Sequence, residues 1–347
     1  MESMKRKLET MRQELENIAD AGDDPAAVVN SPAFPEPSFI ETNGIRMAVY
    51  EQGDGPPVIL LHGFPELAFS WRHQLPALAA AGFRAIAPDQ RGYGRTDVPG
   101  DVRDYRIEEL IADIHGLLDA LQLDSASFVG HDWGALVLWQ MAMRAPQRID
   151  RLVILNIPHY PRLPVDPIEV MRKRFGDDFY IVNFQDSHEA DAAFARDPAH
   201  FFDVMMRRGQ ISREQFDRLP AEMKSLSLLK AMARSQSGGE PLLTDAERDY
   251  YAAAFSRTGF TGPINWYRNW THNWETQAAF DERIGIPTLF IGAEDDVIIA
   301  LEHIEAMKPL VDDLEVHMLR HCGHWSQQEQ PAEVNQLIVE WLQRRSG

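Results

Sequence analysis

A carboxylate occupies a position where the chain is expected to turn sharply. The segment Ser127–Val129 is apolar enough for a buried strand, and Gly130-His131-Asp132-Trp133-Gly134 follows it and leads into a helical pattern. A strand that enters a helix through Gly-x-X-x-Gly is typical of a nucleophile elbow, in which small flanking residues expose the central side chain. Because Asp is also a favoured helix N-cap, this motif alone fits two roles for Asp132, nucleophile and cap.

An aspartate nucleophile restricts the reaction. A carboxylate that attacks an ester or amide carbonyl would form an anhydride, which is a high-energy intermediate. Attack on a tetrahedral carbon instead forms an alkyl ester, which water can then hydrolyse. A nucleophilic Asp132 therefore predicts displacement at an sp³ carbon, as in epoxide or alkyl-halide hydrolysis, and argues against esterase or lipase chemistry.

Two segments near the C-terminus could supply the partners of such a nucleophile. His324 lies in a Gly-His-Trp turn before a terminal helix, and the acids Glu294-Asp295-Asp296 follow an apolar strand. Three adjacent acids usually form a solvated turn, but one of them could hold the imidazole in the correct tautomer. We expect Asp296 in this role, since Asn156, after the preceding strand, cannot serve as the acid. The chain order is then nucleophile, acid, base, as in other enzymes with this elbow.

Eight short apolar segments alternate with helical patterns along most of the chain. Several are continuous apolar runs, which suits strands buried on both faces of a parallel sheet. The predicted strands are Phe39–Glu41, Arg46–Glu51, Val58–Leu61, Arg84–Ala87, Ser127–Val129, Leu152–Leu155, Thr288–Ile291 and Glu315–Met318. Helices are predicted over 105–121, 134–144 and 331–344. The alternation predicts an α/β fold with a mostly parallel, doubly wound sheet.

The alternation stops between residues 159 and 280. This stretch has no convincing strand pattern and is rich in helix formers, aromatic residues and single prolines. A helical insertion of this kind is expected to form a cap, or lid, over the carboxyl edge of the sheet, where open α/β sheets bind ligands. We therefore predict a core in two parts, 38–158 and 281–347, separated by a helical cap over 159–280.

The first 37 residues follow a different pattern. Apolar residues at spacings of three and four predict a short amphipathic helix over 3–20. These residues are Met4, Leu8, Met11, Leu15 and Ile18. Prolines then predict a linker over 21–37. The helix could dock on the body of the protein or contribute to a dimer, so we expect a monomer or a homodimer.

Composition excludes several classes of function. The 347 residues carry 34 basic and 53 acidic side chains, a formal net charge of −19, so nucleic-acid binding is not expected. The single cysteine, Cys322, excludes an internal disulfide and a cysteine-rich zinc site. The sequence shows neither the apolar region of a secretory signal nor a run long enough to span a membrane. We expect a cytoplasmic enzyme that needs no cofactor and no metal.

Together the motifs resemble those of the soluble epoxide hydrolases, a family of the α/β-hydrolase fold, over roughly residues 38–345. The matching segments are His62-Gly63-Phe64-Pro65-Glu66, Asp89-Gln90-Arg91-Gly92-Tyr93-Gly94, Gly130-His131-Asp132-Trp133-Gly134, Gly259–Trp270 and Gly323-His324-Trp325. The resemblance implies an α/β-hydrolase core with a helical cap. It also implies conversion of epoxides to vicinal diols through an alkyl ester on Asp132, which water activated by His324 hydrolyses. The backbone amides of Phe64 and Trp133 are then expected to form an oxyanion hole, and the Phe64–Pro65 peptide to be cis.

The same resemblance assigns ring opening to two tyrosines of the cap. The segment Gly259–Trp270 looks like the one that carries the first, which is Tyr267 here. The second is expected in a segment similar to Phe179–Gln185, which indicates Tyr180, although Ile181 stands where family members often have Gln. The competing candidates are Tyr160, Tyr250 and Tyr251.

The leaving group separates the two reactions open to an aspartate nucleophile. An epoxide opens to an alkoxide, a strong base that a tyrosine hydroxyl can protonate, whereas a halide needs only N–H donors, commonly from Trp or Asn. Tyr267 favours the epoxide, and so does Phe64, where haloalkane dehalogenases usually carry Asn. The alternative is a haloalkane or haloacid dehalogenase that uses the same Asp132. Fluoroacetate-type dehalogenases, however, usually carry Arg where this chain has Trp133.

Two further classes are weaker. A catalytically idle binding or signalling protein of the same fold would show a broken set of catalytic residues, and the sequence shows no break. A serine esterase would need Ser at the elbow, where this chain has Asp132.

Overall fold

The computed structural model describes residues 34–209, 211–220, 224, 226–234, 238–298 and 301–345. The amphipathic helix predicted over 3–20 lies outside these residues, as does the predicted linker up to residue 33. The remaining residues of that linker, 34–37, have no regular secondary structure.

Strands form at each of the eight predicted segments, and two very short strands are added. The strands are β1 (Ser38–Thr42), β2 (Ile45–Gln52), β3 (Pro57–Leu61), β4 (Arg84–Pro88), β5 (Ala126–His131), β6 (Ile149–Leu155), β7 (Arg207–Arg208), β8 (Glu240–Pro241), β9 (Thr288–Ala293) and β10 (Leu314–Leu319). Eight of them form one sheet in the order β1-β2-β4-β3-β5-β6-β9-β10. β2 is antiparallel to both β1 and β4, and the remaining neighbours are parallel. This confirms the mostly parallel, doubly wound sheet.

Helices in the first and last parts of the chain connect these strands. They are α1 (Gln74–Ala80), α2 (Ile107–Ala120) and α3 (Trp133–Arg144) in the first part of the chain, and α13 (Leu301–Met307), α14 (Ser326–Glu329) and α15 (Pro331–Arg344) in the last. α2 packs against α3, and α1 against α15. Every residue of β5 and β9 is buried, as expected for continuous apolar strands covered on both faces. The edge strand β10 is only partly buried over most of its length.

The chain between β6 and β9 is mainly helical in its described residues. Its helices are α4 (Pro167–Phe175), α5 (Tyr180–Asp186), α6 (Glu189–Arg196), α7 (Pro198–Met205), α8 (Arg213–Asp217), α9 (Leu228–Met232), α10 (Asp245–Thr258), α11 (Thr261–Arg268) and α12 (Trp270–Gln277). Their core is aromatic, with close ring contacts among Phe194, Phe201, Phe255 and Phe260.

One expectation for this stretch was wrong, because β7 and β8 pair as an antiparallel ladder there. Each strand has only two residues, so the sequence contains no alternating pattern that could have revealed it.

The carboxyl edge of the sheet gathers the residues that the sequence singled out. Asp132 and Asn156 follow the neighbouring strands β5 and β6, and Phe64, Asp296 and His324 follow β3, β9 and β10. Parallel strands end at the same edge, so residues far apart in sequence meet there. None of the helices in the described ranges is long and apolar enough to cross a membrane.

Candidate active site

Asp132 stands at the turn between β5 and α3 in a backbone conformation that L-residues rarely adopt. Its φ and ψ are 49° and −117°, and its carboxylate caps no amide of α3. Instead, Oδ1 accepts a hydrogen bond from the backbone N–H of Phe64 at 2.8 Å. The helix-cap interpretation of Asp132 is therefore wrong, and the strained turn points its carboxylate toward the loop after β3.

Two glycines allow the elbow and this loop to approach each other. A Cβ on Gly63 would lie 2.4 Å from Cβ and 2.5 Å from Oδ1 of Asp132. A Cβ on Gly134 would lie 2.0 Å from the carbonyl oxygen of Leu61. The motif therefore has glycine at 134, and the His-Gly-Phe-Pro string has glycine at 63, because a side chain would push the two loops apart.

His324 lies between two carboxylates. Its Nδ1 is 2.9 Å from Oδ2 of Asp296, and its Nε2 is 3.7 Å from Oδ2 of Asp132. Burial disfavours the charged imidazole, but the charge and hydrogen bond of Asp296, together with the charge of Asp132, raise the pKa of His324 to about 9. The structure thus brings together the three residues predicted as nucleophile, acid and base.

Asp296 is held by more than the imidazole. Asn156 donates from Nδ2 to Oδ2 of Asp296 at 2.8 Å, and the N–H of Ile298 donates to Oδ1 at 2.9 Å. The hydroxyl of Ser326 donates to Oδ1 of Asn156 at 2.6 Å, which fixes that amide. Burial disfavours the Asp296 carboxylate, but His324 and these donors hold its pKa below the ordinary value. Sequence reasoning rejected Asn156 as the acid and gave it no other role, although a polar residue directly after β6 pointed to this edge.

Tyr180 and Tyr267 face each other above the elbow. Their ring centroids are 5.7 Å apart at 75°, and the ring of Tyr267 also packs edge-on against Trp133 and Phe64 at 5.0 and 5.4 Å. Burial, and secondarily the charge of Asp132, raise the pKa of both phenols far above their usual range. Both hydroxyls therefore stay protonated and can donate hydrogen bonds.

The competing tyrosines have other contacts. Tyr250 packs on Phe69 with ring centroids 4.6 Å apart, and Tyr251 packs on Phe202 at 5.0 Å. Tyr160 packs edge-on against His303 at 5.1 Å. Tyr180 is the candidate whose ring contacts Tyr267.

A buried pair of Glu66 and His131 lies behind His324. His131 Nδ1 is 2.7 Å from Oε2 of Glu66, and His131 Nε2 is 2.8 Å from the backbone oxygen of His324. Gln327 and Gln328 each donate to Oε1 of Glu66 at 2.8 Å. Burial disfavours the Glu66 carboxylate, but the charge of His131 and its hydrogen bond keep the pKa of Glu66 below its ordinary value. Sequence analysis gave no role to this pair, whose members lie 65 positions apart.

His62 bonds to the backbone of two loops at this edge of the sheet. Its Nε2 accepts the backbone N–H of Gln90 at 3.1 Å, so its proton is on Nδ1, which donates to the carbonyl of Gly63 at 2.9 Å. Burial lowers the pKa of His62, which favours this neutral tautomer. The Phe64–Pro65 peptide that follows is cis, as expected.

Comparison with known proteins identifies the family of this chain. Residues 56–331 match the model of the alpha/beta hydrolase fold family. The chain is 39% identical to "Epoxide hydrolase A" of Mycobacterium tuberculosis (strain ATCC 25618 / H37Rv), with 89% of this chain and 97% of that one aligned. It is 33% identical to "Bifunctional epoxide hydrolase 2" of Sus scrofa, with 97% of this chain aligned but only 61% of the longer relative. 

A solved structure gives the same result. The crystal structure of epoxide hydrolase A from Mycobacterium thermoresistibile superposes with a TM-score of 0.81 at 38% identity, covering 89% of this chain and 98% of that one. Identity above 30% over 89% of this chain and over nearly all of the two mycobacterial proteins shows the family. The chain belongs to the epoxide hydrolase family of the α/β-hydrolase fold.

Proposed function

We propose that this protein hydrolyses epoxides to vicinal diols through an alkyl ester on Asp132. The observation that carries the proposal is the position of the Asp132 carboxylate. Oδ1 is held by the Phe64 amide at 2.8 Å, and Oδ2 faces His324 at 3.7 Å. Above them lie the buried ring of Tyr267 and the partly buried ring of Tyr180. The names of the relatives, all epoxide hydrolases, support the same reaction.

The first step is ring opening. Oδ2 of Asp132 attacks one epoxide carbon, a C–O bond of the ring breaks, and the departing oxygen takes a proton from Tyr180 or Tyr267. Phenols fit this role because an alkoxide is a strong base, while their raised pKa keeps the protons in place until the oxygen develops charge. The product of this step is the alkyl ester.

The second step is hydrolysis of the ester. Nε2 of His324 takes a proton from water, and the hydroxide attacks Cγ of Asp132. The oxyanion that forms is stabilised by the backbone N–H of Phe64 and by that of Trp133, which is the first residue of α3 and so has no partner within its helix. The oxyanion collapses, the bond from Cγ to the alkyl oxygen breaks, and that oxygen takes the proton held by His324 as the diol leaves. The new Asp132 carboxyl gives up its proton, which restores the tyrosine hydroxyl that was deprotonated during ring opening.

Charge couples the two steps. Asp132 is one of the carboxylates that raise the pKa of His324. Formation of the ester removes that charge, so the imidazole of the alkyl-enzyme holds its proton less tightly. A larger fraction of His324 is therefore neutral, and able to accept a proton, at the point in the cycle where a base is needed.

We also propose that residues 159–280 are the cap and that 38–158 and 281–347 are the two parts of the core. Contacts between these parts support the division: the indole N–H of Trp266 donates to the carbonyl of Arg91 at 3.2 Å, and Asn273 accepts the N–H of Ile107 at 3.0 Å. A cytoplasmic location is proposed on composition alone, and fractionation of cells would test it.

Trapping the ester tests the proposed function. In a His324→Gln variant, ring opening proceeds but no base activates water, so the alkyl-enzyme accumulates. Intact mass spectrometry after addition of styrene oxide should show a gain equal to the substrate mass, and peptide mapping should place it on Asp132. An unmodified mass would contradict the proposal, and so would halide release from haloalkanes without diol formation from epoxides in the unchanged enzyme.

A further inference from the structure

Arg268 immediately follows Tyr267 at the end of α11, and its guanidinium is buried within the cap. Its side chain is 9% exposed, and that of its partner Asp191 is 8% exposed. Nη2 and Nη1 of Arg268 lie 2.7 and 3.1 Å from the two carboxylate oxygens of Asp191, which forms a bidentate pair. Burial disfavours the Asp191 carboxylate, but Arg268 keeps its pKa below the ordinary value.

The same guanidinium binds the end of the helix that carries Tyr180. Nε donates to the carbonyl of Phe184 at 3.0 Å, and Nη2 donates to the carbonyl of Ser187 at 3.0 Å. These carbonyls lie in the last turn of α5 and just beyond it, where backbone oxygens lack partners within the helix. A cation at a helix C-terminus is also favoured by the helix dipole.

A second contact joins the two tyrosine helices. Gln185 of α5 donates from Nε2 to the carbonyl of Tyr267 at 2.8 Å and to that of Ile181 at 2.9 Å. The backbone of Tyr267 is thus bonded to α5 directly, and its neighbour Arg268 holds the end of α5. Asp191, on α6, completes the arrangement by fixing the guanidinium.

We propose that Arg268 is a positioning residue for ring opening, which locks α5 to α11 so that the hydroxyls of Tyr180 and Tyr267 converge on one epoxide oxygen. The inference rests on the proposed function. A guanidinium suits this task better than an ammonium, because its fixed fork can bind a carboxylate and two carbonyls at once. A displacement of about 1 Å at a reacting group can lower the rate roughly 100-fold. Loss of the contacts between Arg268 and α5 should therefore slow ring opening measurably.

The test separates the chemical steps. Arg268→Lys keeps the charge but loses the fork. In a His324→Gln background, the rate of alkyl-enzyme formation with saturating styrene oxide should fall by about tenfold or more, with the apparent dissociation constant changed by less than about twofold. In the enzyme with His324 intact, decay of a preformed alkyl-enzyme should stay within about twofold of the parent rate.

Arg162→Lys is the matched control. Arg162 also lies in the cap and donates from Nε to a backbone carbonyl, that of Trp274, at 2.8 Å, but this contact is outside the tyrosine pair. Its alkylation rate should equal that of the parent. If Arg268→Lys does not fold, Asp191→Asn, which leaves the guanidinium without its charged partner, should show the same step-specific loss.

Four outcomes can be distinguished. Slower alkylation in Arg268→Lys than in its parent, with unchanged ester hydrolysis, supports the positioning role of Arg268. Equal alkylation rates in Arg268→Lys and its parent, or equal slowing of both steps, would overturn it. Failure of His324→Gln alone to form the alkyl-enzyme would contradict the proposed function and not the role of Arg268 in particular.

Discussion

The imidazole of His324 contacts two carboxylates that have different tasks. Asp296 stays charged throughout the proposed cycle and fixes the ring through Nδ1 at 2.9 Å. Asp132 loses its charge when the ester forms and regains it when the ester is hydrolysed. Each carboxylate raises the pKa of His324, but only the contribution of Asp132 varies with the state of the enzyme.

The raised pKa makes stability depend on pH. Below the unfolded-state pKa of 6.5 the charged imidazole contributes its full stabilisation, which is lost as the pH rises through the folded-state pKa of about 9. Since one pKa unit corresponds to about 1.4 kcal/mol, the unfolding free energy of the parent relative to His324→Gln should fall by roughly 3 kcal/mol between pH 6.5 and 9. Urea denaturation across this range measures it.

Asp132→Asn is the control for this prediction, because it removes the second carboxylate and keeps the shape. The pKa of His324, measured by NMR titration, should be lower in Asp132→Asn than in the parent. An unchanged pKa would mean that Asp132 does not influence the base.

At the scale of elements, the site depends on how closely β3 and its loop approach the start of α3. Gly134 allows that approach, since a Cβ there would lie 2.0 Å from the carbonyl oxygen of Leu61 and 2.9 Å from that of His62. Both atoms belong to the backbone, so neither can move without shifting the strand that leads to the Phe64 amide.

Gly134→Ala should therefore destabilise the protein by about 1–3 kcal/mol and lower kcat, because α3 and β3 are forced apart at the oxyanion hole. Gly100→Ala is the control, since Gly100 is exposed and a Cβ there meets nothing within 4 Å. Thermal unfolding and steady-state kinetics of the two variants measure the difference. Equal behaviour of the two variants would mean that the close approach is unimportant.

Sequence patterns predicted the strands and helices well where buried apolar residues follow one another, or recur at regular spacing, along the chain. β5 and β9 are buried on both faces, so their apolar runs were visible, and the turns that follow them carry Asp132 and Asp296. The two-residue strands β7 and β8 are too short to show an alternation of apolar and polar residues. Their pairing depends on how the surrounding helices fold.

Contacts across the sheet edge were harder to predict. The Glu66–His131 pair and the bond from Asn156 to Asp296 join residues 65 and 140 positions apart. Each of these residues could equally be an acid in a loop, a turn residue or the last residue of a strand, so its type alone does not indicate the contact. Only the order of strands in the sheet shows which of them meet.

For the whole molecule, the helical stretch that we propose as the cap is joined to the rest of the described chain by polar contacts as well as aromatic ones. Arg72, 9% exposed, binds Glu247 of α10 through Nε at 2.6 Å. It also donates from Nη1 to Oε1 of Gln328 at 2.7 Å, and Gln328 donates to Glu66. A single arginine therefore links the proposed cap to the polar network beside His324.

Glu247→Gln should weaken this link. Gln can keep the capping box of α10, but it presents a neutral amide to a nearly buried guanidinium. The expected loss of unfolding free energy is about 1–2 kcal/mol. Glu214→Gln is the control, because its pair with Arg218 is about three-quarters exposed and should contribute less than about 0.5 kcal/mol. Urea denaturation of both variants measures the difference, and equal losses would contradict a structural role for the Arg72 pair.

A single turnover in ¹⁸O-labelled water tests the central claim most directly. With enzyme in excess over styrene oxide, the oxygen from water should enter the carboxylate of Asp132, while the diol carries the original oxygen of that side chain and remains unlabelled. Mass spectrometry of the diol and of the peptide that contains Asp132 reads both results. A labelled diol with an unlabelled peptide would mean that water attacks the epoxide directly, and the alkyl-enzyme mechanism would then be wrong.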